Sequence, residues 1–171
     1  SDLAYRDFLD ERTRVNDGVM ALLAGSKLSA HLLQLTQGSQ RTLLEMFPNV
    51  PHVKNFNLVS ELALSELENS EYHLASMAIP YLLATYESFV AQTCQFLLEN
   101  STIVETIKSN WGIKDLHDYL KRNFSVSLRT ESSRILTLLT QLRNDIIHAG
   151  GKARRDYGDT YIEDIANELG H

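Results

Sequence analysis

"TESSRILTLLTQLRNDIIHAGG", residues 130–151, decides how the rest of the chain is read. Its Ile135, Leu138, Leu139, Leu142 and Ile146 recur at three- and four-residue spacings, which sets them on one stripe of an α-helix over 130–149. Thr130 suits the helix start as an N-cap, and Gly150-Gly151 closes it, because glycine takes the left-handed cap conformation without a Cβ clash. The last two turns do not suit a plain amphipathic helix. Arg143, Asn144, Asp145 and His148 crowd there, and Lys152, Arg154 and Arg155 follow at once.

The same spacing recurs outward from this stretch. Residues 3–24 read as a helix on Leu3, Phe8, Val15, Val19, Leu22 and Leu23, interrupted at Gly25-Ser26, with a second helical piece over 28–47. "PNVPHVKNFN" (48–57) is a loop, since its two prolines block helix propagation. A short helix is expected over 58–68. A long one follows over 71–99, with Ile79, Leu82, Tyr86, Phe89, Thr93, Phe96 and Leu97 on one face and a kink at Pro80. A connector over 99–112, a short helix over 113–123 and a last helix over 159–169 complete the chain, and no segment alternates as a strand does. The expected fold is all-α, a helical bundle of about five to seven helices around a long kinked central helix. At 171 residues the chain suits one domain with one core. Residues 1–171 are therefore read as a single domain, with 58–171 as its core and 1–57 as N-terminal helices of no assigned role.

Composition narrows the function classes. Cys94 is the only cysteine, so no internal disulfide forms, and its apolar surroundings mark it as a small buried residue. The most apolar run, Leu74–Ala84, contains Pro80 and is too short to span a bilayer, so no membrane association and a cytoplasmic location are expected. His31, His52, His73, His117 and His171 are scattered, with no i, i+4 pair and no partnered cysteine, and there is no glycine-rich phosphate loop or nucleophile elbow. Neither a metal nor a cofactor is expected. The net charge of −6 speaks against a nucleic-acid partner until its distribution is considered. Residues 121–155 hold eight basic and two acidic residues, a local +6, and the remainder carries −12. Such a segment attracts phosphate locally while the body stays acidic.

Asn144 and His148, four apart, lie together on the side opposite the apolar stripe, which makes His148 a poor fit to a core histidine. The C-terminal end of a helix favours a cation there. Asp145, three residues earlier, is placed to hydrogen-bond the ring, and Arg143 offers a planar guanidinium suited to phosphate. These are parts for phosphodiester chemistry without a metal: a base for a ribose 2′-OH, a cation for developing charge and an acid for the leaving oxygen.

"LRNDIIHAGG" (142–151) resembles the R-x4-6-H signature of the HEPN superfamily (higher eukaryotes and prokaryotes nucleotide-binding domain), and "AIPYLLATYESFVAQTCQFLLEN" (78–100) is similar to the preceding helix of HEPN proteins from defence and toxin–antitoxin loci. The resemblance spans residues 71–151 and leaves 1–57 unmatched. It implies a homodimer with two motifs across one cleft, and a metal-independent endoribonuclease acting on RNA, with an antitoxin or other protein as a partner. Arg143 and His148 would be catalytic and Asn144 would shape the site. Glu87 stands where some branches place a helpful acid. The alternative the resemblance leaves open is a non-catalytic helical module binding nucleotide, RNA or a protein partner. Lys152, Arg154 and Arg155 are expected to bind RNA phosphates. Replacing all three by alanine should weaken RNA binding and flatten its dependence on salt, by about 0.7 in log–log slope for each phosphate no longer neutralised; a binding titration at several salt concentrations whose slope is unchanged would refute the basic-segment reading.

Overall fold

The computed structural model describes residues 2–36, 41–50 and 58–150, together with 163, 164, 166 and 167. Among the described residues the fold is all-α. Six helices occur: α1 (Asp2–Gln34), α2 (Leu43–Met46), α3 (Ser60–Glu68), α4 (Ser70–Glu99), α5 (Ile113–Phe124) and α6 (Thr130–Ala149). Residues 163, 164, 166 and 167 are also helical, within the last helix expected from the sequence. The only extended pairing among the described residues is an isolated bridge between Thr42 and Val59.

Three boundaries differ from the sequence reading. The helical piece expected over 28–47 is not continuous, since α1 ends at Gln34 and Thr42 bridges to Val59 before α2 opens at Leu43. Helix α1 runs unbroken through Gly25-Ser26. Ser26 Oγ donates to the Leu22 carbonyl 2.9 Å away, so the serine bonds back into its own helix instead of interrupting it. The cap of α6 is Arg129, in extended conformation, and Thr130 is the first helical residue. Residues 51–57 of the expected loop lie outside the described residues.

The chain divides into two compact units, residues 15–77 and residues 1–14 with 78–171. In the first, Ala30, Leu33, Ala63 and Leu74 are buried. Backbone bonds from Leu43 N to Leu58 O (2.9 Å) and from Ser60 N to Arg41 O (2.9 Å) tie its segments together. Glu45 Oε2 accepts from Thr42 N at 2.7 Å and starts α2, and Lys27 pairs with Glu71 at 2.8 Å.

The second unit holds the candidate site. Its core is the seam of Val90 and Cys94 on α4 against Leu116, Tyr119 and Leu120 on α5, with Trp111 and Phe124 packed around it. Cys94 and Tyr119 have no exposed surface, and each fully buried side chain of this kind contributes about 1.5–3 kcal/mol. Burial pushes the Cys94 thiol up to about 11, so it stays a neutral packing residue. The sequence placed one face of α4 on Ile79, Leu82, Tyr86, Phe89, Thr93, Phe96 and Leu97. Of these, Tyr86, Phe89 and Leu97 pack against the core, but the deepest burial runs through Leu83, Val90 and Cys94, and Phe96 is exposed. Tyr86 and Phe89 serve a second partner, since Phe8 of α1 stacks on Phe89 at 4.9 Å and tilts against Tyr86 at 5.9 Å. By length and composition α4 is apolar enough to cross a bilayer. Within this unit it directs Leu83, Val90 and Cys94 into protein and Glu87 into an ion pair.

Tyr119 raises one energetic question. Its hydroxyl is buried with no hydrogen-bond partner. Such a group forfeits its hydration, so Tyr119→Phe should stabilise the protein by about 1 kcal/mol, seen as a rise of a few degrees in Tm. A fall in Tm would show that the hydroxyl is satisfied in solution.

Candidate functional site

Helix α6 ends as its sequence requires. Gly150 takes φ 60, ψ 35, and its N–H donates to the Asp145 carbonyl. This closure puts His148 in the last turn of the helix, with an exposed side chain. Asn144, one turn earlier, is exposed as well, in line with the facing derived from periodicity.

The buried line of α6 lies at one edge of the expected stripe. It runs through Leu138 and Asp145, seven residues apart and therefore nearly in register on the helix. Asp145 is 7% exposed and lies on this buried line, whereas Asn144 and His148 are exposed. Ile135, Leu136 and Leu139 are only half-buried, and with Phe8, Leu83 and Tyr86 they line an open apolar cleft of about 480 Å³.

Arg143 is brought to Glu87. Its Nη1 stands 3.5 Å from Glu87 Oε2, with both side chains partly exposed, and its Nη2 donates to Asn144 Oδ1 at 3.4 Å. Glu87 is positioned by the seam, being three residues before Val90 at the margin of the buried line of α4. On its open side Ala84, Ser88 and Ala91 are small, and the room they leave is a cleft of about 730 Å³ that also reaches Lys108 and Trp111.

Arg143 borders a second cleft, of about 480 Å³, between α5 and α6. Asn144, Thr140 and Gln141 face it from α6, and Lys114, His117 and Asp118 from α5. The start of α5 is held by a one-way cap in which Gly112 N–H donates to Asp115 Oδ2 at 3.1 Å, glycine having no side chain to reciprocate. On the other side of α5, Glu105 accepts from Arg122 (2.6 Å) and Asn123 (2.9 Å) and ties down the connector.

The structure therefore gathers Arg143, Asn144 and Glu87, leaves His148 exposed one turn beyond, and places Asp145 inside. Lys152, Arg154 and Arg155 lie outside the described residues. The sequence reading missed Lys108, Lys114 and His117 as neighbours of Arg143, because the connector and α5 carry no motif and meet α6 only through the fold. Among the described residues no group of three or more His, Cys, Asp or Glu is arranged to hold a metal. Comparison with protein-family models, with characterised proteins and with solved structures gives no match for this chain.

What this arrangement offers chemically is a guanidinium on a cleft wall, an amide beside it and an imidazole at a glycine-capped helix end. How firmly that end is held is testable. A Cβ built on Gly150 meets nothing within 4 Å, so Gly150→Ala isolates the backbone penalty of a positive φ. It should cost about 1 kcal/mol in chemical denaturation. A change near zero would mean that the α6 terminus is frayed and does not hold His148 in place.

Proposed function

We propose that the chain is a metal-independent endoribonuclease that cleaves RNA by 2′-OH transesterification, as a homodimer whose long α4 bends at Pro80, in a defence or toxin–antitoxin setting. The observation that carries the reading is the joint placement of Arg143 and Asn144 on a cleft wall, with His148 exposed one turn further along the same helix. Arg143 takes the phosphate, where its charge offsets that developing on the non-bridging oxygens. His148 transfers a proton to or from the ribose and leaving oxygens. The neighbouring 2′-OH is the nucleophile, because it is already held beside the phosphorus within the substrate. The dimer is supported by the open apolar cleft of Phe8, Ile135 and Leu139, a surface that association would cover.

One observation favours a second reading, a non-catalytic module that binds nucleotide, RNA or a protein partner. Glu87 already engages Arg143, and an anion arriving there must displace it. A partly exposed pair at this separation is worth only about 0–1 kcal/mol, so displacement is cheap, and the ribonuclease reading is preferred.

Purified protein should cleave RNA in EDTA, leaving a 2′,3′-cyclic phosphate and a 5′-hydroxyl, and should spare 2′-O-methyl RNA. Arg143→Ala and His148→Ala should each lower cleavage at least about 100-fold while the circular dichroism melt stays in place. Cleavage of DNA, products ending in a 5′-phosphate, or no cleavage at all would remove the reading. Light scattering on the same sample should report a dimer, and a monomer would overturn the dimeric arrangement.

A further inference from the structure

Within the α5–α6 cleft, Arg143 and Asn144 face a histidine other than His148. Leu116, Tyr119 and Leu120 commit one face of α5 to the core, and His117, next to Leu116, emerges at the margin of that face. There it meets Tyr86 of α4. Its Nε2 lies 2.9 Å from Tyr86 Oη, and the two rings stack at 5.8 Å with 25° between their planes. A half-buried ring held by both a hydrogen bond and a stacking contact has its rotamer fixed, which is what a positioned acid or base requires. Because Nε2 is engaged by Tyr86, Nδ1 is the nitrogen left for the cleft.

We propose that His117 is a second proton carrier of the ribonucleolytic site, supplied by the same protomer as Arg143 and Asn144 and held in place by Tyr86. The proposal rests on the ribonuclease reading above and gives that site a base distinct from His148. In the ground state Nε2–H donates to Tyr86 Oη and Nδ1 carries the lone pair. Nδ1 takes the 2′-OH proton as the 2′-oxygen bonds to phosphorus. The bond from phosphorus to the 5′-oxygen breaks, and that oxygen takes a proton from the His148 imidazolium. Water then returns the proton balance, so the step needs no oxidant, reductant or further reactant.

The charges around the ring suit the base role. Tyr86 faces it from α4, Lys114 and Asp118 from α5, and Arg143 from α6. Burial holds the His117 imidazole below the ordinary histidine range, and Asp118 opposes this only in part. His117 is therefore neutral at physiological pH, with Nδ1 able to accept a proton.

The test is the pH dependence of kcat/KM for a short RNA in EDTA, from about pH 5 to about pH 9. Wild type should give a bell whose acid limb lies below the ordinary histidine range. His117→Gln should lose about 100-fold at neutral pH and lose the acid limb with it, whereas Tyr86→Phe should lose rate and keep the limb. A folded His117→Gln whose limb is unchanged overturns the proposal and leaves the ribonuclease reading standing. A wild-type protein that cleaves nothing removes both. A second measurement needs no variant, and so guards against a His117→Gln that does not fold. A short 2′-O-methyl RNA, which offers several phosphates and cannot be cleaved, should shift the His117 imidazole resonances of the wild-type protein; resonances that stay in place overturn the proposal.

Discussion

Helix α4 has to satisfy two neighbours at once, and the candidate site depends on how it does so. Its Val90 and Cys94 are committed to Leu116 and Tyr119 of α5, and its Tyr86 and Phe89 to Phe8 of α1. A helix engaged on two adjoining faces cannot rotate about its axis without opening one of them, and at about 1.5–3 kcal/mol per buried side chain either opening is costly. The rotation so fixed puts Glu87 at the margin of the seam, within reach of Arg143. It also puts Tyr86 against His117. Polar contacts worth little by themselves thus inherit their geometry from apolar packing that is worth a great deal.

Helix α6 was the most legible part of the chain, because its information is local. Periodicity gave its extent, Gly150 its end, and the exposed face of Asn144 and His148 followed from spacing alone. Asp145 shows where that reasoning stops. Periodicity gave the apolar stripe as a whole, but which edge of it is most deeply buried depends on the helices packed there. In the structure the deep edge is that of Leu138 and Asp145, while the edge of Ile135 and Leu139 borders a cleft. Asp145 therefore lies inside although Asn144 before it and Ile147 and His148 after it are exposed.

The long helices show the same division. Their existence was legible, but the buried line of α4 was not, because Ile79, Leu82, Tyr86 and Phe89 make a broader apolar arc than one partner can cover. In the fold Tyr86 and Phe89 meet Phe8, while Ile79 and Leu82 border the open apolar cleft. Gly25-Ser26 reads as an interruption on propensity, yet the Ser26 hydroxyl folds back onto Leu22 and α1 continues. His117 left no trace at all in the sequence. It sits in an ordinary amphipathic helix, and its interest arises from Tyr86, 31 residues away, and from a cleft wall contributed by α6.

On the ribonuclease reading, the Glu87–Arg143 contact is best understood as a placeholder. At 3.5 Å, with each side chain a quarter to a third exposed, it is longer than a charge-assisted hydrogen bond at its optimum and is screened by solvent. Such a pair holds the guanidinium near the cleft at a cost that an incoming phosphate can repay, since a hydrogen bond to a charged group contributes about 1.5–3 kcal/mol against about 0–1 kcal/mol for the pair it replaces. Glu87 also limits the site. A carboxylate beside the phosphate position repels any anion that Arg143 does not grip directly, so binding there favours a ligand that brings further contacts to Lys108 or Lys114 on either side. A polyanionic strand can make those contacts, whereas a single free phosphate reaches only one of them at a time. The acid next to the arginine therefore selects for a chain of phosphates over an isolated one.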